Sequence, residues 1–489
     1  MIAAAAPAQD PRLSSAAPPA RFTDPARLEK LRGAIPAIDS AMRAFAERSR
    51  VPGIAYGIVV DGKVIHVGTA GIRELAGRAP VDTNTVFRIA SMSKSFAAAV
   101  ILQLRDAGKL ALDDAAERYV PELAELRYPG SDAPRITIRH LLSHSAGFPE
   151  DNPWGDQQLA ATDAELSAMI RSGIPFSTAP GTAYEYSNYG FAILGRVVAN
   201  VSGMSYARYL TQHILAPLGM HSTTLEVASV PASRLAHGYR LQDNVWLEEA
   251  QLPDGAFGPM GGMLTSVSDL GRWVSLMLDA WPARNEPETG PIRRASLREM
   301  QEVARYSGAA ASTSATNVLT LRAGGYGYGL RVFETCELRR AVSHSGGLPG
   351  FGSLMWWLPD HGVGIVAMGN VTYTGWNAPV ERAFELLRLT GGLTARVPQP
   401  SPVLLERQAQ TTRLIKRWDD ALADSLAAMN LFLDSPKSLR RAAIERLVTE
   451  AGGGCVPEGA IVAENALRGR WRMRCRTGDF VVGITLAPT

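Results

Sequence analysis

The sequence predicts a mixed α+β catalytic domain whose antiparallel sheet is assembled from both of its ends, followed by a small C-terminal α+β unit. Three observations carry that expectation. Two strand-like runs, 53–60 and 63–71, meet at Asp61-Gly62, a dipeptide whose left-handed preference closes a tight hairpin. The same grammar returns late in the chain, where runs 352–358 and 362–369 flank Pro359-Asp360-His361. Between the two hairpins the apolar residues recur mostly at helical spacing, so one sheet flanked by helices, with a mostly helical subdomain, accounts for all three.

Taken in order, residues 1–25 are rich in alanine, proline and serine and read as a disordered extension. The opening MIAAAAPAQD resembles the small-residue end of a trimmed secretory signal, which predicts a periplasmic or secreted protein. A cytoplasmic protein with an alanine-rich tail is the competing expectation. The catalytic domain is expected over 26–390. It opens on a helix at 24–48, where Leu28, Leu31, Ile35, Ile38, Met42 and Phe45 share a face and Pro36 breaks or kinks the run. A helix at 91–108 follows the first hairpin; its stretch SFAAAVILQL carries no charge, as in a helix buried on every side. Further helices are expected at 163–172, 189–202, 205–214, 268–278, 294–305 and 379–389. The segment 307–325 is small, polar and Gly-rich, and reads as a flexible loop or insertion. A proline-bearing linker at 391–402 precedes the C-terminal domain at 403–489, with helices to about 450 and then short strands.

Composition excludes several functions. Fifty basic and forty-seven acidic residues are spread along the chain for a net charge of +3, without the clustered stripe a phosphate backbone requires, so nucleic acid is not an expected partner. No run of about eighteen apolar residues predicts a membrane-spanning helix. Neither Cys-x-x-Cys nor His-Glu-x-x-His occurs, so no metal site is expected. Cys455 and Cys475 can pair if the compartment is oxidising. The oligomeric state is left open.

The chemistry centres on Ser91 and Lys94. Of the six lysines, Lys94 alone has a serine three residues before it, a spacing that puts both side chains on one helix face. Burial and the positive helix N-terminus both disfavour an ammonium there, which leaves a base beside a nucleophile. The bland reading of a bare Ser-x-x-Lys is a snorkelling lysine at a helix start. Two later elements weigh against it. Tyr186-Ser187-Asn188 supplies a phenol able to relay a proton and an amide able to bind the lysine and a substrate carbonyl. His344-Ser345-Gly346-Gly347 lies on a late strand, where the N–H groups of Gly347 and Ser91 can form an oxyanion hole. A second His-x-Gly at His66 falls mid-strand before the nucleophile and reads as a half-exposed strand histidine. Within 148–155, Trp154 is an expected apolar contact in the cleft wall.

With these three ordered motifs over about 32–389, the chain resembles serine hydrolases of the class C β-lactamase and D-alanyl-D-alanine peptidase superfamily. Residues 141–147 (LLSHSAG) and 261–269 (GGMLTSVSD) also resemble that family and read as structural supports, as does Tyr328. The resemblance implies acyl transfer through a covalent intermediate on Ser91. Lys94 and Tyr186 share the base role, Asn188 holds the lysine and the acyl amide, and no cofactor is needed. Which of Lys94 and Tyr186 takes the first proton stays open, since the two titrate as a pair. One departure bears on the substrate. β-Lactamases of this group usually begin the third motif with lysine, whereas His344 is cationic only near or below its reference pKa of about 6.5. An ester or a D-residue or modified peptide is therefore the favoured substrate over a β-lactam. β-Lactamase or D,D-carboxypeptidase activity, an acyltransferase with an amine or alcohol acceptor, and a non-catalytic envelope scaffold are the alternatives.

Overall fold

The computed structural model describes residues 18–313 and 319–487, which fall into two compact units. One comprises Asp24–Ala395; the other joins the residues up to Thr23 with those from Arg396 onward. Residues 1–17 of the expected extension lie outside the described residues. Arg21 exchanges backbone hydrogen bonds with Val397.

The larger unit is built on a nine-stranded antiparallel sheet. Its order across is Ala79–Pro80, Lys63–Glu74, Gly53–Val60, Val363–Gly369, Phe351–Leu358, Ala341–Leu348, Arg331–Thr335, Leu319–Tyr326 and Arg305–Thr313. The expected joining of early and late hairpins takes place at the centre, where Gly53–Val60 pairs with Val363–Gly369 in the register Ile58↔Ile365. These central strands are apolar on both faces because both faces are covered. Ile54, Tyr56, Ile58, Trp356 and Ile365 pack under the N-terminal helices Arg27–Gly33 and Ile35–Arg48 and the late helix Asn377–Leu389. Ala55, Val59, Met355, Trp357 and Val366 face a larger core that contains the helix Ser93–Asp106. That helix has eleven buried residues among fourteen, as its uncharged sequence predicts.

Three expectations are corrected in detail. The first helical region breaks at Ala34, and Pro36 sits in the first turn of the second helix, where its missing N–H has no helical partner to lose. The helix expected at 294–305 ends at Met300, and Arg305 already begins an edge strand. The segment 307–325, expected as a loop, forms the last hairpin of the sheet, with residues 314–318 outside the described residues. Alanine, serine and glycine carry little strand preference of their own. The neighbouring strand templates them: Arg331–Thr335 pairs with Leu319–Tyr326, and the Arg322 guanidinium stacks 3.5 Å from the Phe333 ring centroid.

The smaller unit has four helices between Pro402 and Glu450, then a three-stranded sheet of Val456–Asn465, Arg468–Arg474 and Asp479–Thr485. A disulfide joins Cys455 to Cys475 beside the buried Trp471 and Met473. No described helix is long and apolar enough to cross a membrane.

Trp376 ties the late loop to the sheet. It is 2% exposed, donates its indole N–H to Gly352 O at 2.9 Å and packs 5.0 Å from the Phe45 ring. Trp376→Ala should therefore cost about 3–5 kcal/mol, read as a fall in the chemical-denaturation midpoint; a loss below about 1 kcal/mol would contradict this account.

Candidate active site

Ser91 lies in a 3₁₀ turn, Ala90–Met92, that leads directly into the helix Ser93–Asp106. Ala90 just before it has φ of 49°, a left-handed conformation that alanine seldom adopts. Four hydrogen bonds hold the turn. Ile89 N–H donates to Met263 O at 3.0 Å and Met263 N–H to Ser93 Oγ at 3.2 Å; Ser93 Oγ donates to Ala90 O at 2.7 Å and Ser353 Oγ to Ile89 O at 2.8 Å. The strand Ala341–Leu348 can pass this turn because position 346 is glycine: a Cβ there would fall 2.1 Å from Ile89 O.

Lys94 is fully buried, one turn on. Its Nζ lies 3.0 Å from Ser91 Oγ, 2.6 Å from Asn188 Oδ1 and 2.7 Å from Met260 O. An ammonium fills all three contacts as a donor. A neutral amine has only two N–H bonds, which the two carbonyl oxygens take, so its lone pair is left facing Ser91. Burial pushes the Lys94 pKa down to about 7, against the opposing pull of Asp151 and Asp156.

Asn188 begins the helix Asn188–Ser202 and is itself buried. Its backbone N–H donates to Asp151 Oδ1 at 2.7 Å, and that of Tyr189 to Oδ2 at 2.8 Å, so a carboxylate caps the positive end of the helix. Asn188 Nδ2 donates to Asn152 Oδ1 at 2.6 Å, which fixes its amide with oxygen toward the lysine. A substrate contact was expected of Asn188. In the structure Asn152, drawn over it by the Asp151 cap, lines the cleft in front.

Tyr186 sits beside both groups, with Lys94 Nζ 4.8 Å from its ring centroid. Burial raises its phenol well above the ordinary value, and a hydrogen bond to Ser91 only partly offsets this, so the resting group is neutral. His144, from the LLSHSAG run, supports it. Its ring centroid is 4.2 Å from that of Tyr186, and its Nδ1 accepts the Ser187 N–H at 3.1 Å. Burial holds His144 neutral.

His344 departs from the expectation of a titrating cation. It is 2% exposed; its Nε2 lies 2.7 Å from Tyr326 Oη and its Nδ1 2.6 Å from Ser345 O. Burial pushes its pKa down to about 3, and Lys94 adds repulsion. An uncharged ring with both nitrogens engaged cannot hold a carboxylate by charge. The cleft has a different cation: Arg331, which lines it together with Ser345 and Tyr184. Its guanidinium sits 6.0 Å from the Tyr184 ring centroid and forms no ion pair among the described residues.

The cleft in front of Ser91 has a volume of about 640 Å³. Glu150, Asn152, Pro153, Ser345, Gly347 and Tyr373 line it. Ser91, Tyr186 and His344 line it too, so the three motifs converge on one cavity. Segment 148–155 does supply a wall, but Trp154 is not among the residues that line the cleft. Its indole stacks at 7° on Tyr189, 5.9 Å between centroids, because the apolar helix start offers it a flat partner. His66 pairs with Asp39 at 2.7 Å on the strand Lys63–Glu74, as its position suggests. Arg331, Asp151, Asn152 and Tyr373 belong to no motif. Asp151 and Asn152 had a signal in their place within the 148–155 segment expected at the cleft wall, whereas Arg331 reaches the site through its pairing with Ser343.

Residues 38–390 match the family profile described as beta-lactamase. Protein flp of Staphylococcus aureus (strain MW2) is 28% identical over 339 residues, covering 68% of this chain and 62% of that protein. Penicillin-binding protein 4* of Bacillus subtilis (strain 168) is 27% identical over 331 residues, covering 63% of this chain and 66% of that protein. The chain thus spans less than two thirds of the length of either relative. The octameric penicillin-binding protein homologue from Pyrococcus abyssi shares the fold, with a TM-score of 0.60 at 21% identity over 92% of this chain and 90% of that one. The serine-lysine cleft lies within the matched span, and the chain belongs to the beta-lactamase family.

Proposed function

We propose that this chain is a serine hydrolase that cleaves an ester or an amide, the latter in D-residue or modified peptides, through an acyl group carried on Ser91. One observation carries the reading: a fully buried amine lies 3.0 Å from Ser91 Oγ with its two other hydrogen-bond contacts taken by carbonyl oxygens. Lys94 Nζ accepts the Ser91 proton as Oγ attacks the substrate carbonyl carbon. Charge developing on the carbonyl oxygen is met by the backbone N–H groups of Ser91 and Gly347. Tyr186 stays protonated until the leaving group departs and supplies its proton, being reprotonated from Lys94. Water then takes the acyl group. The raised phenol and lowered amine favour lysine as the first base, the assignment the sequence left open.

Arg331 favours a narrower reading within this one: substrates whose leaving portion carries a carboxylate, as in peptides cleaved next to a free C-terminus. Arg331 and Ser345 line the same cleft as Gly347, and a guanidinium offers the bidentate donors a carboxylate prefers. The Cys455–Cys475 bridge favours an oxidising compartment, periplasmic or extracellular.

Three outcomes follow. A fluorophosphonate should add its mass to the peptide containing Ser91, and Ser91→Ala should abolish the adduct; a folded wild type that takes no label refutes the nucleophile. Because Lys94 must be neutral to act, kcat/KM should fall about tenfold per pH unit below about 7 and level off above it. A profile flat from pH 5 to 8 would remove Lys94 as base. Arg331→Met should raise KM at least about tenfold for a D-alanyl peptide with a free C-terminus, with little change for the same peptide amidated; equal effects on both would refute the carboxylate contact.

A further inference from the structure

Tyr373 lines the cleft in a backbone conformation with φ of 52°, which bulky residues seldom adopt. Its surroundings hold it there. Its N–H donates to Phe351 O at 3.1 Å, and the adjoining Thr372 Oγ1 accepts the Gly350 N–H at 2.8 Å. Two glycines clear the space. A Cβ on Gly347 would lie 2.2 Å from Tyr373 Cδ1, and one on Gly352 would lie 2.2 Å from Thr374 N. From this seat the hydroxyl donates to the buried carboxylate of Asp156. The ring, half exposed, therefore packs against Gly347 and is tied at both ends.

We propose that Tyr373 is the wall of the acyl pocket, a specificity-determining residue that limits the length of the acyl group Ser91 accepts. The inference rests on the function proposed above. A scissile carbonyl whose oxygen meets the Gly347 N–H has the leaving portion toward Ser345, two residues back along the strand and roughly 7 Å away, and toward Arg331 on the neighbouring strand opposite Ser343. The acyl chain then points the other way, past Gly347, where the ring of Tyr373 stands. A flat apolar face fixed at that distance stacks on a short or planar acyl group and blocks a long one. Tyr373 neither donates nor accepts a proton in the reaction.

The test compares p-nitrophenyl acetate with p-nitrophenyl octanoate on wild type, Tyr373→Ala and Tyr373→Phe, with fluorophosphonate labelling of Ser91 measured on each. Tyr373→Ala should raise the octanoate-to-acetate ratio of kcat/KM at least about tenfold. Tyr373→Phe, which keeps the ring and loses the tie to Asp156, should keep that ratio within about threefold of wild type. Tyr373→Asn, a small residue that tolerates a left-handed backbone, replaces the alanine variant should that fail to fold. An unchanged ratio in the small variants overturns the proposal, as does a shift in Tyr373→Phe as large as in Tyr373→Ala. A wild type that neither labels nor turns over either ester fails at the functional reading itself, and the acyl wall falls with it; a labelled enzyme with an unchanged ratio overturns the wall alone.

Discussion

The site depends on where one amine finds its hydrogen-bond partners. Lys94 is sealed from water on the first turn of a buried helix, and its contacts are shared among Ser91, Asn188 and the Met260 carbonyl. Desolvation makes the ammonium costly and the carbonyl oxygens make it bearable, so the group balances near neutrality. Remove either carbonyl and the amine gains freedom to turn from the serine. Much of the surrounding structure serves to keep those two oxygens still.

That support is layered. Asn188 is oriented by Asn152, whose neighbour Asp151 is held in turn by the N–H groups of the helix it caps. Gly155 packs so closely on Asn188 that a Cβ would come within 2.7 Å of the Asn188 Cβ, which locks the same loop from the other side. Partly buried Asp151 and buried Asp156 both have raised pKa values, and both pull the Lys94 value up again. The field on the amine is thus a balance of burial against two nearby acids, and the loop 150–156 sets it.

The sheet centre was legible because Asp61-Gly62 and Pro359-Asp360-His361 punctuate runs that only a covered strand can bury. Ser91, Lys94, Tyr186, Asn188 and Gly347 were legible because each is a chemically committed residue at a fixed spacing. Beyond that the sequence misled where a residue's environment lies far off in the chain. The reading of His344 as a titrating cation failed because its burial and its Tyr326 partner are consequences of sheet packing. Arg331 and Tyr373 were invisible, one delivered by strand register and the other by a loop whose path depends on Gly347 and Gly352. The hairpin at 305–326 was missed because its small residues take their conformation from the neighbouring strand.

The bond from Ser353 Oγ to Ile89 O closes the serine turn with a residue 264 positions later in the chain. During synthesis the first half of the chain therefore emerges without the strand that closes the Ser91 turn, and contacts this distant are slow to form. Until that strand arrives, the left-handed twist at Ala90 has less to hold it. The turn that carries Ser91 is in this way closed only when almost the whole of the larger unit has been made.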